Sequence, residues 1–354
     1  MRRVGVAIKS QPCSTIRDVT KQKVAVALIV ISLLIACAPQ AGTTPLAAAP
    51  LPTVQPSETP LPSPIPPTAT ITSTPPPLAQ RVLIVSFDGL RPDAIEKAPM
   101  TNLIELMKSS AYSLAAQTIL PSVTLTAHAS MLSGLCPAKH TAYWDDYVPE
   151  NGYALGADLF DLAHAAGLRT VMVVGKEKLR HVTEPESADV FIFNESDQSI
   201  GNLAEIEVQK DFGLMFVHFP TGDILGHEWS WMGAVQMSAY RAEDKALAQI
   251  LAALDSAGLR AGTLVIVTAD HGGIVGGSHG GDSPEETTIP WIASGPGVIA
   301  GPLNSFVHIT DTAASAAYAL GLSRPAEWDG VPVYEAFGQS APPRLPGDPC
   351  RQTR

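Results

Sequence analysis

Arg81-Val-Leu-Ile-Val-Ser-Phe-Asp-Gly89 is a short apolar run that stops at a carboxylate and a glycine. That is the pattern of a strand buried on both faces that opens into a turn. Working outward, β-rich runs recur at residues 169–174, 190–193, 214–219 and 264–268, with helical patterns at 101–110, 159–166, 237–257 and 311–320. No internal repeat is found. Strands alternating with helices predict an α/β fold, a mostly parallel sheet with helices on both faces. Such sheets bind ligands beyond the carboxyl ends of their strands. Three runs put polar residues there: Asp88 after the first, Asp223 after Pro220, and Asp270-His271 after Val265-Ile-Val267.

The chain has 354 residues, but residues 38–80 are nearly all Pro, Thr, Ala and Ser. The segment able to bury a core is therefore 81–337, one large domain followed by a Pro-rich tail, 338–354. Charged residues make up 16% and hydrophobic ones 45%, which excludes a wholly disordered chain. Formal charge is −11; residues 1–36 carry +5, leaving about −16 beyond them. An acidic surface of that size argues against a stable nucleic-acid partner.

Val24 to Ala36 is apolar and follows a basic stretch. It is too short to span a bilayer, which takes about 20 residues, and suits the core of a signal peptide over 1–36. Leu34-Ile-Ala-Cys37 reads as a lipobox, with Cys37 lipidated and 37–80 an extended stalk. The alternative is an ordinary signal peptide with an incidental cysteine. The expected location is thus the outer face of a bacterial membrane, tethered by lipid. An exported Cys136 and Cys350 are free to form a disulfide or to remain thiols.

Asp223-Ile-Leu-Gly-His227 sets a carboxylate and an imidazole four residues apart. Asp270-His271-Gly-Gly places two ligand types side by side on a turn, and His279 follows on a Gly-rich loop. Mixed Asp/His ligation suits zinc, or manganese where oxygen dominates. Singly, each of these residues reads more simply as a helix cap or a satisfied structural histidine. Leu120-Pro-Ser-Val-Thr-Leu-Thr-Ala-His128 is rich in hydroxyls ahead of a helical run. Ser122, Thr124 and Thr126 all suit an N-cap, and the same place suits a nucleophile facing an anion held by helix-end amides.

Five blocks in order resemble the type I phosphodiesterase/nucleotide pyrophosphatase family of the alkaline phosphatase superfamily: Val85 to Asp93, Pro121 to Gly134, Asp223 to His227, Thr268 to Gly273 and His279 to Glu285. The resemblance implies an alkaline-phosphatase-like three-layer sandwich and two divalent metal ions. Asp88, Thr124, Asp270 and His271 would hold one; Asp223, His227 and His279 would hold the other. It also implies Thr124 as the nucleophile rather than Thr126, because the family's nucleophile lies four residues before the histidine matching His128. His308 is the fallback ligand, and His128 and His140 read as structural.

Two departures stand out. Asp145 occupies the place where the family has an asparagine that donates to a phosphate oxygen, and an ionised carboxylate cannot donate. His279 lies eight residues after His271, so the segment that caps the site in larger members is short or absent. The Gly175-Lys-Glu-Lys178 segment, after the Val171-Met-Val-Val174 run, is placed to reach an anionic substrate, though a solvated loop is the simpler reading. Tyr143, Trp144, Tyr147, Trp229 and Trp231 suit base stacking, though packing is the simpler reading. Cys136-Pro-Ala-Lys139 does not match the Cys-x-Pro-x-Arg element of sulfatases. The function expected is a metal-dependent phosphohydrolase acting on phosphodiesters or nucleotide pyrophosphates through a phosphothreonine at Thr124. The alternatives are a phosphomonoesterase with the same site and a weakly active lipoprotein that binds metal or phosphorylated ligands.

Overall fold

The computed structural model describes residues 76–340, 343 and 350. The expected signal peptide, Cys37 and all but the last five residues of the expected stalk lie outside the described residues. Among the described residues there are eight strands: β1 (Arg81–Phe87), β2 (Ala111–Gln117), β3 (Thr170–Val174), β4 (Val190–Phe193), β5 (Leu214–Phe219), β6 (Thr263–Thr268), β7 (Thr288–Ser294) and β8 (Gly301–Pro302). They form one sheet in the order β4-β3-β5-β1-β6-β7-β2-β8. From β4 to β6 every pairing is parallel; only β7 runs against its neighbours β6 and β2.

The apolar run that begins at Arg81 lies between β5 and β6, and Val82, Leu83, Ile84 and Val85 are fully buried. Such a strand has no solvated face, which is why it shows no alternation. Its register is decisive for the site: Ser86 pairs with His218 on one side and Thr268 on the other. The three strands therefore end level, and the residues that follow them emerge side by side.

Helices cover both faces. Thr101–Met107, Asp197–Val208 and Thr221–Glu228 pack around the long helix Ala234–Ser256. Thr124–Ser133, Leu159–Ala165 and Asp311–Ala319 pack together as a second group. The helix Asp197–Val208 is absent from the sequence reading; Ser196 caps it by accepting from the Ser199 amide.

Strands β2 and β7 also escape the sequence reading. β2 is Ala-Tyr-Ser-Leu-Ala-Ala-Gln, without a β-branched residue, and β7 contains Pro290, which normally argues against an interior strand. The fold accommodates the missing N–H locally. The β2–β7 register shifts between Ser113 and Ala116, opposite Pro290, so no ladder bond is required there. Cys136 and Cys350 are joined in a disulfide, which ties the C-terminal tail back to the domain across 214 residues of sequence.

Candidate active site

The helix Thr124–Ser133 is buried along its whole length, so each polar side chain on it needs a partner. Thr126 gives its hydroxyl to the Ala142 carbonyl (2.8 Å) and Ser133 to the Ala129 carbonyl (2.6 Å). Ser130 pairs with His140 Nε2 (2.9 Å). His128 is held between Ser86 Oγ (2.9 Å) and the Thr124 carbonyl (2.8 Å). Burial lowers the pKa of His140 to about 4, and burial with His218 alongside drives that of His128 well down. Both histidines are neutral structural residues. Thr124 alone among the helix's hydroxyls meets a side chain from the sheet's carboxyl end: Lys176 Nζ lies 3.1 Å from Thr124 Oγ1.

Through Lys176 that hydroxyl is linked to two groups of ligand atoms. Asp88, Asp270 and His271 form one and Asp223, His227 and His279 the other, with the ligand atoms of each group within 4.8 Å of one another. In each carboxylate one oxygen is committed and the other is not. Asp270 Oδ1 accepts from the Gly89 and His271 amides, and Asp88 Oδ2 from His218 and Lys176. Asp223 Oδ2 accepts from Lys176 at 2.5 Å. The remaining oxygens, Asp88 Oδ1, Asp223 Oδ1 and Asp270 Oδ2, are buried without a hydrogen-bond partner, as is His271 Nε2.

The histidines are oriented in a common way. His227, His271 and His279 each donate Nδ1–H to a backbone carbonyl, of Gly277, Gly272 and Ser122 respectively, all at 2.8 Å. That bond fixes the tautomer and leaves the Nε2 lone pair facing the carboxylates, the arrangement of a ligating histidine. Buried acceptors without donors are costly unless a cation satisfies them. The donor set therefore fits two divalent ions of the zinc or manganese type. His308, the fallback ligand, belongs to neither group, and its Nδ1 pairs with Thr310 Oγ1.

Charge in the site follows from burial and proximity. Burial pushes the Asp88 carboxyl up, but Lys176 and His218 overcome it and hold it well below its usual range. Burial and Asp88 likewise raise Asp223, yet Lys176 and His227 bring it to about 2. Asp270, fully buried and beside Asp88, is pushed well up, which a bound cation would reverse. Burial and the neighbouring His271 lower His279 to about 4, so its imidazole is neutral at pH 7.

Two features go beyond the simpler reading of the sequence. His218, a single polar residue in the apolar strand β5, accepts from the Gly175 amide at Nδ1 (3.1 Å) and donates from Nε2 to Asp88 (2.9 Å). It both aims Asp88 and fixes the loop after β3. The second is that loop itself, which is not the solvated segment expected. Lys176 is largely buried and bridges Asp88 (2.7 Å) and Asp223 (2.5 Å), while Lys178 pairs with Asp145 (2.8 Å). Three carboxylates at one point draw an ammonium in, and no local sequence pattern encodes that.

The aromatic residues divide. Trp231 is buried beneath the site, donating to the Gly89 carbonyl at 3.0 Å, and Trp144 packs edge-on against His181. Tyr143 and Trp229 are exposed, at 53% and 68%. Gly273 lies against Trp231, where an added Cβ would fall 2.1 Å from the indole, so only glycine lets this turn close over the ring.

The fold is similar to those of known structures. Murine ectonucleotide pyrophosphatase/phosphodiesterase 5, solved as an inactive threonine-to-alanine variant with AMP, aligns over 73% of this chain and 98% of its own, at 16% identity and TM-score 0.60. The phosphonate monoester hydrolase from Silicibacter pomeroyi aligns over 74% and 77%, at 13% identity and TM-score 0.61. A 2-O GAG sulfatase aligns over 76% of each chain, at 16% identity and TM-score 0.64. The fold is that of the alkaline phosphatase superfamily of hydrolases and transferases. Within it, residues 82–276, more than half of the chain, match the model of the type I phosphodiesterase/nucleotide pyrophosphatase family, and the chain belongs to that family. Residues 236–322 also match the sulfatase family model. Among curated proteins, the catalytic subunit of human GPI ethanolamine phosphate transferase 2 is 29% identical over 291 residues. That match takes in 75% of this chain but only 29% of the relative's length.

Proposed function

We propose that the protein is a two-metal phosphohydrolase that cleaves phosphodiester or nucleotide pyrophosphate bonds through a covalent intermediate on Thr124. One observation carries this reading. Lys176 Nζ touches Thr124 Oγ1, Asp88 of one ligand group and Asp223 of the other at once, so a single ammonium links the hydroxyl to both groups. Asp88, Thr124, Asp270 and His271 would hold one ion and Asp223, His227 and His279 the second. Bound there, the ions would supply Lewis acidity and lower the pKa of coordinated oxygens.

The chain's own residues do the rest. Thr124 releases its hydroxyl proton to solvent as Oγ bonds to phosphorus and the ester oxygen opposite leaves with its electron pair; a water then bonds to phosphorus as the Oγ–P bond breaks, and one of its protons restores the hydroxyl. Lys176 donates to Oγ and favours its ionised form. His218 keeps Asp88 in place, and the three Nδ1 bonds hold the imidazoles in the tautomer that ligation needs. Two further facts support phosphate over sulfate: the nucleophile position is a threonine, and Cys136 is tied up in a disulfide. The murine relative's AMP and the transferase's phosphoethanolamine make a small phosphorylated or nucleotide-like substrate the natural class. Export and lipid tethering through Cys37 complete the proposal; among the described residues no helix is long and apolar enough to cross a membrane.

The test is to strip the purified protein with chelator, reload it with zinc or manganese, and follow nitrophenol release from bis-nitrophenyl phosphate and from the monoester. Hydrolysis of the diester that disappears on stripping and returns on reloading is expected. Preference for the monoester would move the assignment to a phosphatase. Turnover of neither, with metal bound, would leave a binding protein.

A further inference from the structure

Asp145 stands where the family resemblance calls for an amide donor, and a lone carboxylate there would repel a phosphate. The structure shows that it is not alone. Its Oδ1 accepts from the Leu125 amide (2.9 Å), in the first turn of the helix that begins at Thr124, and its Oδ2 accepts from Lys178 Nζ (2.8 Å). Both carboxylate oxygens are thus engaged, and the pair is neutral overall. Lys178 makes no other hydrogen bond among the described residues, so two of its three N–H bonds remain free to donate. Its side chain is only 18% exposed, and Lys176, two residues away, already reaches Thr124 Oγ1.

We propose that Lys178, held by Asp145, donates to a non-bridging phosphoryl oxygen of the substrate at Thr124, so that the Asp145–Lys178 pair does the work of the missing amide. Asp145 is then a positioning residue: it anchors a flexible ammonium to the helix end next to the nucleophile. Fixing that side chain in advance reduces the rotamer freedom lost when the substrate binds. A charge-assisted donor is also roughly twice as strong as a neutral one. The inference rests on the phosphoryl-transfer reading above, and it identifies which group of this chain meets the anion.

The experiment uses the full zinc-loaded protein and its Lys178→Met and Lys178→Met/Asp145→Asn variants. For each, kcat/KM is measured on bis-nitrophenyl phosphate, and affinity for orthovanadate by calorimetry. In Lys178→Met, kcat/KM is expected to fall on the order of 100-fold, as when one oxyanion donor is removed. Vanadate should bind about tenfold more weakly or worse, with metal content and melting temperature unchanged. In the double variant the amide at position 145 supplies a donor directly, so both quantities should recover most of the way. Lys178→Met matching the wild type in rate and in vanadate affinity would overturn the assignment, as would a double variant no better than the single one. A wild type that hydrolyses no ester yet binds vanadate more tightly than Lys178→Met would sink the phosphoryl-transfer reading and leave Lys178 as an anion donor. A wild type that binds no vanadate would overturn the lysine assignment.

Discussion

Thr124→Ala is expected to lower kcat/KM by at least on the order of 10⁴-fold, the scale on which removal of a nucleophile acts. The fold should survive. Thr124 Oγ1 serves no backbone group, and its contact is with Lys176, which keeps Asp88 and Asp223 as partners. Thr126→Val makes the control. It deletes the bond from Thr126 to the Ala142 carbonyl and leaves a buried acceptor unmet, at a cost of about 1–3 kcal/mol in stability. The two variants should therefore separate cleanly: one stable and inactive, the other active and less stable. A Thr126 variant that lost turnover while Thr124→Ala kept it would exchange the two assignments.

The second large effect is on metal content. His227 lies in the more exposed ligand group, its side chain 43% accessible, and it is oriented by the Gly277 carbonyl rather than by the core. Its removal should leave the sheet intact and take one of two bound ions with it. Because such an ion contributes several kcal/mol to charge stabilisation, the rate should fall on the order of 10³-fold or more. Elemental analysis of the zinc-loaded wild type and His227→Ala checks this, with about two equivalents expected against about one. Full metal in the variant would show that Asp223 and His279 do not depend on His227 and that its assignment as a ligand is wrong.

How much of this was written in the sequence depends on whether the signal was local. The buried strands β1, β3, β5 and β6 announce themselves as apolar runs, and their level ends follow from parallel register, so Asp88, Asp223 and Asp270 could be picked out beforehand. The edge half of the sheet could not: β2 lacks β-branched residues, and β7 holds a proline tolerated only because its partner bulges opposite it. The lysines show the same limit from the other side. Gly175-Lys-Glu-Lys178 is locally indistinguishable from a solvated loop. Only the convergence of Asp88, Asp223 and Asp145 from three distant segments makes it part of the site. His218 was hidden for a similar reason, since a histidine in a strand gives no sign of the carboxylate across the next strand.

The most direct test of the account is to quench the zinc-loaded protein in acid during turnover of bis-nitrophenyl phosphate and to map the adduct by mass spectrometry. A nitrophenyl-phosphoryl group is expected on Thr124 and absent from Thr124→Ala. An adduct on any other residue, or turnover without an adduct in the wild type, would contradict it.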